Sequence, residues 1–278
     1  MKLRIGARQW SDDAVAAAIG ATGKRLQAQG LRAGQVVIAP VAPLWPSAVL
    51  QLALLELGAA ILPVATSRLA AQRAGRAAAA PPALPGGDGA TPSDLAALRQ
   101  QVGAEWHWQP DVQGGQLRPL GPGPDTDHFA GDPLAALIRT SGSSGPPKVA
   151  MLTRAAVLAA ARRVTADLAL GPEDAWLGCL PRQHIGGLSI GYRCRLTGAT
   201  WHLLPGFERR AVARALAEGA ITHLSLVPPM LAALLDAEVP PPPSLRVAMI
   251  GGQALDAALA SRALTAGWPL YVSYGMSE

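Results

Sequence analysis

A run of nine residues, from Thr140 to Lys148, combines the residue types in this chain that are best suited to chemistry. It reads Thr140-Ser141-Gly142-Ser143-Ser144-Gly145-Pro146-Pro147-Lys148. Apolar segments at 134–138 and 149–152 flank it, which predicts a loop between two strands. Glycines there permit positive φ and close backbone approach, so backbone N–H groups, hydroxyls and the lysine can surround an anion. The run therefore predicts phosphate binding.

The spacing within this run excludes three better-known loops. A Walker loop needs Gly before Lys and Ser or Thr after it, whereas Lys148 lies between Pro147 and Val149. A dinucleotide fingerprint needs G-x-G-x-x-G, and Gly142 and Gly145 supply only its last interval. A nucleophile elbow would need Gly at position 146, which is proline.

Three further motifs follow the loop. The first is His184-Ile185-Gly186-Gly187, the second is Gly251-Gly252-Gln253-Ala254-Leu255, and the third is Tyr274-Gly275-Met276-Ser277-Glu278. Taken singly, the histidine is typical of an ordinary loop or core residue, and the glycine pair of a strand-to-helix turn. Their order and spacing as a set carry more information than any one of them.

The four motifs together resemble the adenylate-forming superfamily, which contains acyl-CoA synthetases, peptide-synthetase adenylation domains and luciferases. The loop of that superfamily reads roughly (S/T)-(S/T)-G-(S/T)-(S/T)-G-x-P-K, and its last motif reads Y-G-x-(S/T)-E. The runs 180–188 and 226–231 are most similar to those of the o-succinylbenzoate–CoA ligases of menaquinone biosynthesis. One departure is Arg182-Gln183, where related enzymes usually carry an apolar or aromatic pair, and it leaves the acyl substrate open.

The resemblance implies roles for individual residues. Lys148 and His184 are the expected catalytic residues, and Glu278 the expected Mg²⁺ ligand. The residues expected to bind ATP or AMP are Thr140, Ser141, Gly142, Ser143, Ser144, Gly145, Lys148, Gly251, Gly252, Gln253, Tyr274, Gly275, Met276 and Ser277. The residues expected at the acyl substrate are His184, Gly186, Gly187, Leu188 and Val227.

The resemblance also implies a fold, an α/β architecture of stacked, mostly parallel sheets flanked by helices. We expect a first lobe over 1–130, with an Ala/Pro/Gly-rich linker at about 70–90, and a second lobe over 131–278 that carries the nucleotide motifs. Members of the superfamily continue past the last motif with a ribose-binding aspartate, a hinge and a C-terminal lid domain that carries a lysine. The expectation is that this lid is absent, so that the chain is a trimmed piece, a natural fragment or half of a split enzyme.

The function implied is ATP-dependent carboxylate activation, in which an acyl-adenylate forms and then reacts with CoA. ATP, Mg²⁺, CoA and a small carboxylic acid are the expected ligands, and a separate C-terminal domain is a conceivable partner. The alternative is a catalytically inactive nucleotide- or acyl-binding fragment or scaffold. A serine amidase is a third possibility, suggested by the serine-rich loop, but its lysine would have to be Lys24, far upstream in a predicted helix.

Composition narrows the class of protein. Half of the 278 residues are hydrophobic and 15% are charged, as in a globular protein with a sizeable core. The net charge is +5, but the arginines are scattered and are interpreted as solvated surface residues, so no nucleic acid is expected. No apolar run suits a membrane span or a signal sequence. Cys179 and Cys194 are interpreted as core thiols, which indicates the cytoplasm. The oligomeric state stays open.

Apolar patterning predicts alternating strands and helices, and hence a parallel sheet with helices on it. The predicted strands are 36–39, 60–64, 134–138, 149–152, 176–180, 200–204, 222–227, 245–250 and 270–273. The predicted helices are 11–29, 47–57, 93–101, a helix capped by Thr153 that runs to 168, 188–196, 208–218, 228–235 and 256–266. Because ligands bind at the carboxyl ends of such strands, the loop, Gly251 and Tyr274 are expected to line one cleft.

Overall fold

The computed structural model describes residues 1–42, 44–65, 99–110, 115–120, 132–140 and 148–277. The chain divides into two compact units. The first unit contains Met1–Asp12, Ala161–Pro181 and Gly186–Met276. The second unit contains Asp13–Ala160, Arg182–Ile185 and Ser277–Glu278. Residues 1–12 therefore group with the C-terminal half of the chain.

A seven-stranded sheet, with strand order β13-β12-β11-β9-β10-β1-β2, forms the centre of the first unit. All neighbouring strands are parallel except β1 and β2, which form an antiparallel edge. The strands are β1 (Leu3–Ile5), β2 (Arg8–Trp10), β9 (Ala175–Gly178), β10 (Thr200–Leu203), β11 (His223–Leu226), β12 (Val247–Ile250) and β13 (Leu270–Val272).

One face of this sheet packs against helices to form an apolar core. Leu177, Leu224 and Ala248 contribute to it from neighbouring strands, and each is fully buried. Alternation along the strands turns Trp176, Ser225, Met249 and Tyr271 to the opposite face. The helices of this unit are α4 (Ile185–Thr197), α5 (Arg209–Ala217), α6 (Pro228–Leu235) and α7 (Ala257–Thr265), together with the second half of α3 (Arg154–Asp167).

The second unit is built on a six-stranded sheet of order β6-β5-β3-β4-β7-β8. Its central strands are parallel, and the pairs β5–β6 and β7–β8 are antiparallel. The strands are β3 (Val36–Pro40), β4 (Ala60–Val64), β5 (Trp106–Gln109), β6 (Gln116–Pro119), β7 (Leu134–Thr140) and β8 (Lys148–Thr153). The helices are α1 (Asp12–Ala28), α2 (Trp45–Leu57) and the first half of α3.

Local sequence explains where several helices begin and end. Helix α2 has proline in its first turn and ends at Gly58, whose φ of 71° is the left-handed conformation that favours glycine. The Thr153 hydroxyl accepts a hydrogen bond from the Ala156 N–H, which confirms the expected cap of α3. Glu208 and Asp256 cap α5 and α7 in the same way, each accepting from two backbone N–H groups.

The expected α/β class is confirmed, and every predicted strand is present within a few residues of its predicted bounds. The prediction missed β1, β2, β5 and β6, which are short strands. Helix α4 begins at Ile185, three residues earlier than expected. The predicted linker at 70–90 lies outside the described residues, as does most of the predicted helix 93–101, of which residues 99–101 are helical.

Three expectations from composition can be compared with the structure. Cys179 and Cys194 are buried free thiols, and burial raises the pKa of each to about 12. Within the described ranges, none of the helices has the length and apolar character that a membrane crossing requires. Two arginines, Arg182 and Arg193, depart from the interpretation of the arginines as solvated surface residues, and both lie close in sequence to the histidine motif.

Candidate functional site

The predicted phosphate loop joins the two strands of the β7–β8 hairpin in the second unit. Its end residues, Thr140 and Lys148, face each other in the antiparallel register. The Thr140 hydroxyl donates to the Lys148 carbonyl oxygen at 3.4 Å, and the Lys148 side chain is exposed. The residues between them lie outside the described part of the chain, and this applies to the predicted site residues Ser141, Gly142, Ser143, Ser144 and Gly145. The hairpin confirms the two predicted strands on either side of the run.

The Gly251-Gly252 turn lies in the first unit, directly after β12. The Gly251 N–H donates to the carbonyl oxygen of Leu226, the last residue of β11, at 3.2 Å. The Ser273 N–H, directly after β13, donates to the Ile250 carbonyl oxygen at 2.8 Å. These bonds bring the carboxyl ends of three adjacent parallel strands together, which is the edge of an open α/β sheet where ligands bind.

Neither glycine of this turn can be replaced without strain. A Cβ at Gly251 would overlap the Ser273 hydroxyl. Gly252 has a φ of +79°, and its Cβ would lie 3.4 Å from Cγ1 of Val227. The turn thus exposes bare backbone beside Val227 and Ser273, as close approach of a flat ligand would require.

The other predicted nucleotide residues extend from the same strand ends. Gln253 is exposed, Tyr274 is 96% exposed and Met276 is 70% exposed. A Cβ on Gly275 would meet no atom within 4 Å. Ser277 is half-buried and groups with the second unit, and Glu278 lies outside the described residues. The tyrosine ring is therefore available as a stacking surface.

His184 lies in the second unit, in the turn that precedes α4. Its side chain is exposed at the surface, yet desolvation by neighbouring atoms lowers its pKa below the usual value, so the neutral imidazole predominates at pH 7. Gly187 is buried, and a Cβ there would lie 2.7 Å from the Leu180 carbonyl oxygen. Gly186 is exposed, and Leu188 is fully buried, so Leu188 supports the turn from within the core.

The structure shows a candidate residue that the sequence analysis missed, Arg193 in the middle of α4. It is partly buried between the fully buried Tyr192 and Cys194. Its Cζ lies 5.0 Å from the centroid of the Trp176 ring, and its Nη1 contacts Sδ of Met249 at 3.9 Å. The guanidinium therefore lies over the sheet face that is opposite the apolar core.

The Arg193 guanidinium has unused hydrogen-bonding capacity. Its Nε is shielded from solvent and has no hydrogen-bond partner among the described residues. None of the ion pairs in the described part of the chain involves it. Desolvation lowers its pKa to about 10, so it stays charged at neutral pH. A partly buried, charged guanidinium without a carboxylate partner among the described residues is suited to binding a carboxylate from a ligand.

Ser225 supports the aromatic surface beneath Arg193. Its hydroxyl accepts a hydrogen bond from Trp176 Nε1 at 3.1 Å and lies 3.9 Å from Met249 Sδ. His223 stacks beside the same tryptophan, with ring centroids 5.2 Å apart. Trp176 and Ser225 are buried, so they fix the layer beneath the Arg193 guanidinium, and the partly buried Met249 is the member of this group that an acyl chain could reach.

The predicted magnesium ligand, Glu278, lies outside the described residues. Within those residues, no group of three His, Cys, Asp or Glu side chains could hold a metal ion. Lys24, which an amidase triad would need, is exposed on α1.

Comparison with known proteins shows that a family model described as AMP-binding enzyme matches residues 5–278. A 2-succinylbenzoate–CoA ligase of Staphylococcus epidermidis is 37% identical over 145 residues, which are 52% of this chain and 31% of the relative. A second such ligase, from Bacillus mycoides, is 33% identical over 55% of this chain and 32% of the relative. The matched region thus spans about a third of the length of these curated relatives.

Among solved structures, a variant of E. coli MenE with bound OSB-AMS has a TM-score of 0.73 and 25% sequence identity. It is matched over 100% of this chain and 58% of its own. MenE from Bacillus subtilis, in complex with the acyl-adenylate intermediate OSB-AMP, has a TM-score of 0.77 at 21% identity. That match covers 99% of this chain and 70% of the other, and at this identity it shows the shared fold alone.

Proposed function

Because the chain belongs to the AMP-binding enzyme family, we propose that it takes part in ATP-dependent activation of a carboxylic acid, through an acyl-adenylate, to a CoA thioester. Its family and its curated relatives support this reaction class. We further propose that the acid is an aromatic dicarboxylate of the o-succinylbenzoate type. The two free, buried thiols fit a reducing compartment, so we propose the cytoplasm.

The observation that carries the substrate proposal is the unpartnered cation of Arg193 beside Trp176. A dicarboxylic acid presents one carboxylate to be activated and a second one to be recognised. A buried guanidinium binds a carboxylate through short, charge-assisted hydrogen bonds. The apolar part of the acid would then lie on Met249, which is partly exposed beside the buried Trp176. A monocarboxylic fatty acid would leave the cation unpaired, which is unfavourable in a desolvated site.

The remaining residues have roles that follow from their positions. The Gly251-Gly252 turn would receive the adenine, with the exposed Tyr274 ring available to stack on it. Lys148, at the end of the β7–β8 hairpin, would contact the terminal phosphates as a compact positive charge. His184, neutral at pH 7, would border the reacting carboxylate and present ring nitrogens without repelling a cation nearby.

The chemistry is one of positioning and charge stabilisation. The carboxylate oxygen attacks the α-phosphorus of ATP, a P–O bond forms, and the bond to pyrophosphate breaks. The thiolate of CoA then attacks the acyl carbon and releases AMP. The chain's own contribution is to hold the reacting groups in line and to place positive charge where negative charge develops. Mg²⁺, the counter-ion that ATP brings, would supply further neutralisation at the phosphates.

A binding experiment tests the proposal without requiring turnover. Calorimetry would compare three ligands: AMP, the acyl-adenylate analogue OSB-AMS, and a benzoyl analogue that lacks the second carboxylate. We expect OSB-AMS to bind at least about tenfold more tightly than the benzoyl analogue, because only OSB-AMS can pair with Arg193. Equal affinities for OSB-AMS and the benzoyl analogue would contradict the proposal that the acid is a dicarboxylate. Failure of AMP and OSB-AMS alike, on folded protein, would remove the adenylation proposal.

A further inference from the structure

Arg182 is a second charged residue that the structure places inside the protein. It is only 4% exposed, although arginine is among the residues least often buried. It lies two positions before His184. The short segment Arg182–Ile185 belongs to the second unit, whereas the residues on either side of it belong to the first.

The Arg182 guanidinium is bound at three points of the second unit. Its Nη1 donates to Oε1 of Gln51 at 3.1 Å, and its Nη2 donates to Oγ of Ser47 at 2.7 Å. Nη2 also donates to the Ala42 carbonyl oxygen, in the connection between β3 and α2. The two side-chain partners are themselves buried, Ser47 at 2% exposure and Gln51 at 0%.

These partners are held in place by their own positions in the fold. Ser47 and Gln51 are four residues apart and therefore lie on one face of α2. The Ser47 hydroxyl donates in turn to the carbonyl oxygen of Pro40, the last residue of β3, at 3.2 Å. Arg182 is thus tied to the end of a central strand and to the first two turns of a helix, which are among the most rigid parts of a domain.

The location of these hydrogen bonds suggests what they do. Only Gln183 separates Arg182 from His184, and consecutive Cα atoms are about 3.8 Å apart, so fixing Arg182 restricts where His184 can lie. We propose that Arg182 is a positioning residue that anchors the His184 turn to β3 and α2. The inference rests on the proposed function, which places His184 beside the reacting carboxylate.

The competing explanation is that Arg182 is ordinary packing between the turn and α2. In that case a leucine would fill much of the same volume. It would leave Ser47 and Gln51 without their donor but would not necessarily move His184. The test must therefore follow His184 itself as well as stability.

The first measurement is histidine NMR on the ligand-free chain. The His184 resonance would be assigned with His184→Gln, and its titration compared among the parent, Arg182→Leu and Arg182→Lys. We expect Arg182→Leu to shift the His184 resonance and to move its titration midpoint up towards the ordinary value of about 6.5, because a released turn would place fewer protein atoms around the imidazole. Arg182→Lys should restore part of the parent behaviour, since lysine can reach one or two of the acceptors.

The second measurement is affinity for AMP and for OSB-AMS. Arg182→Leu should weaken the binding of OSB-AMS by about ten- to a hundredfold, the usual cost of misplacing a positioning contact, and should leave the affinity for AMP unchanged. Arg162→Leu removes the same charge from an exposed position of α3 and serves as the matched control, with both affinities unchanged.

The outcomes separate the two proposals. If the folded Arg182→Leu protein has the same His184 resonance and titration midpoint as the parent, the positioning role is overturned, whatever the ligand affinities are. An altered His184 with unchanged OSB-AMS affinity would also overturn it. If the parent itself binds neither ligand, the proposed function fails, and with it the functional part of this inference, while the titration still reports whether Arg182 fixes the turn. Partial rescue by lysine, together with an effect limited to OSB-AMS, supports the proposal.

Discussion

Replacing Arg193 with methionine should make the folded protein more stable while it weakens recognition of the acid. Desolvation lowers the pKa of this arginine to about 10. Such a shift corresponds to on the order of 3 kcal/mol of unfavourable desolvation, an upper limit because the side chain is partly exposed. The penalty is present in full at pH 7, because Arg193 is charged in both the folded and the unfolded state, and it disappears only as the pH rises above the pKa of Arg193 in the folded state.

Two losses oppose this gain. The guanidinium interacts with the Trp176 ring at 5.0 Å, a contact that contributes about 0.5–2 kcal/mol. Methionine keeps a long, flexible apolar side chain that can pack on the same ring. We therefore expect a net stabilisation of about 1 kcal/mol, or a rise in melting temperature of ~2–4 °C for a protein of this size.

Affinity should change in the opposite direction. Without the cation, the second carboxylate of OSB-AMS would be buried with no partner, so we expect its affinity to fall by about a hundredfold or more. AMP affinity should stay within about twofold, because Arg193 lies under the acyl part of the proposed site. Urea unfolding at pH 7 would measure stability, and calorimetry would measure both ligands.

Arg195→Met is the matched control, since Arg195 lies in the last turn of the same helix and its charge acts on Asp12. We expect it to lose a little stability and to bind both ligands as the parent does. An Arg193→Met protein that is less stable by more than about 1 kcal/mol yet binds OSB-AMS normally would refute the reasoning, because Arg193 would then be a structural residue.

Three further predictions follow from other parts of the two units. Lys148→Ala should weaken the binding of ATP at least about tenfold more than the binding of AMP, because the lysine is expected to face the terminal phosphates. Equal losses of affinity for the two nucleotides in calorimetry would contradict that role. Gly251→Ala should weaken AMP by about tenfold or more, because its Cβ would overlap the Ser273 hydroxyl, and Gly251→Ala combined with Ser273→Gly should recover part of the loss. Burial lowers the pKa of His202 to about 4. Between pH 7 and pH 5 the parent should therefore lose about 2 kcal/mol more of its free energy of unfolding than His202→Gln does. Equal losses for the two proteins in urea unfolding would argue against this prediction.

The parts of the fold that could be predicted from the sequence are those with local signals. The Thr153 cap, the proline at the start of α6 and the apolar runs of β4 and β11 act within a few residues of themselves. Strand β1 has no such signal, because it is three residues long and its parallel partner, Trp201 and its neighbours, lies about two hundred positions away. Its existence depends on a long-range pairing that one sequence does not reveal.

The candidate site shows the same contrast. The glycines and Tyr274 were found because they stand in motifs of fixed spacing. The sequence alone predicts that Arg193 and Arg182 lie at the surface, because arginine usually does. A signal for Arg193 was nevertheless present: it lies between Tyr192 and Cys194 in a helix of mostly apolar and small residues, where a charge has little chance of reaching solvent. The Arg182-Gln183 departure was noticed, but its buried partners, Ser47 and Gln51, are more than 130 positions away.

The residues assigned to function share one physical property, which is that each is costly for stability alone. Arg193 is a desolvated cation without a carboxylate in the described structure, and Arg182 is a buried cation held by a serine, an amide and a backbone carbonyl. Gly251 contributes no side-chain packing at the end of β12, where another residue would do so. Folding free energy favours none of these choices, since apolar or β-branched residues would serve the core better. A ligand that pairs with Arg193 and lies against the glycine turn would offset these costs. We therefore propose this sheet edge as the place where the adenylate binds.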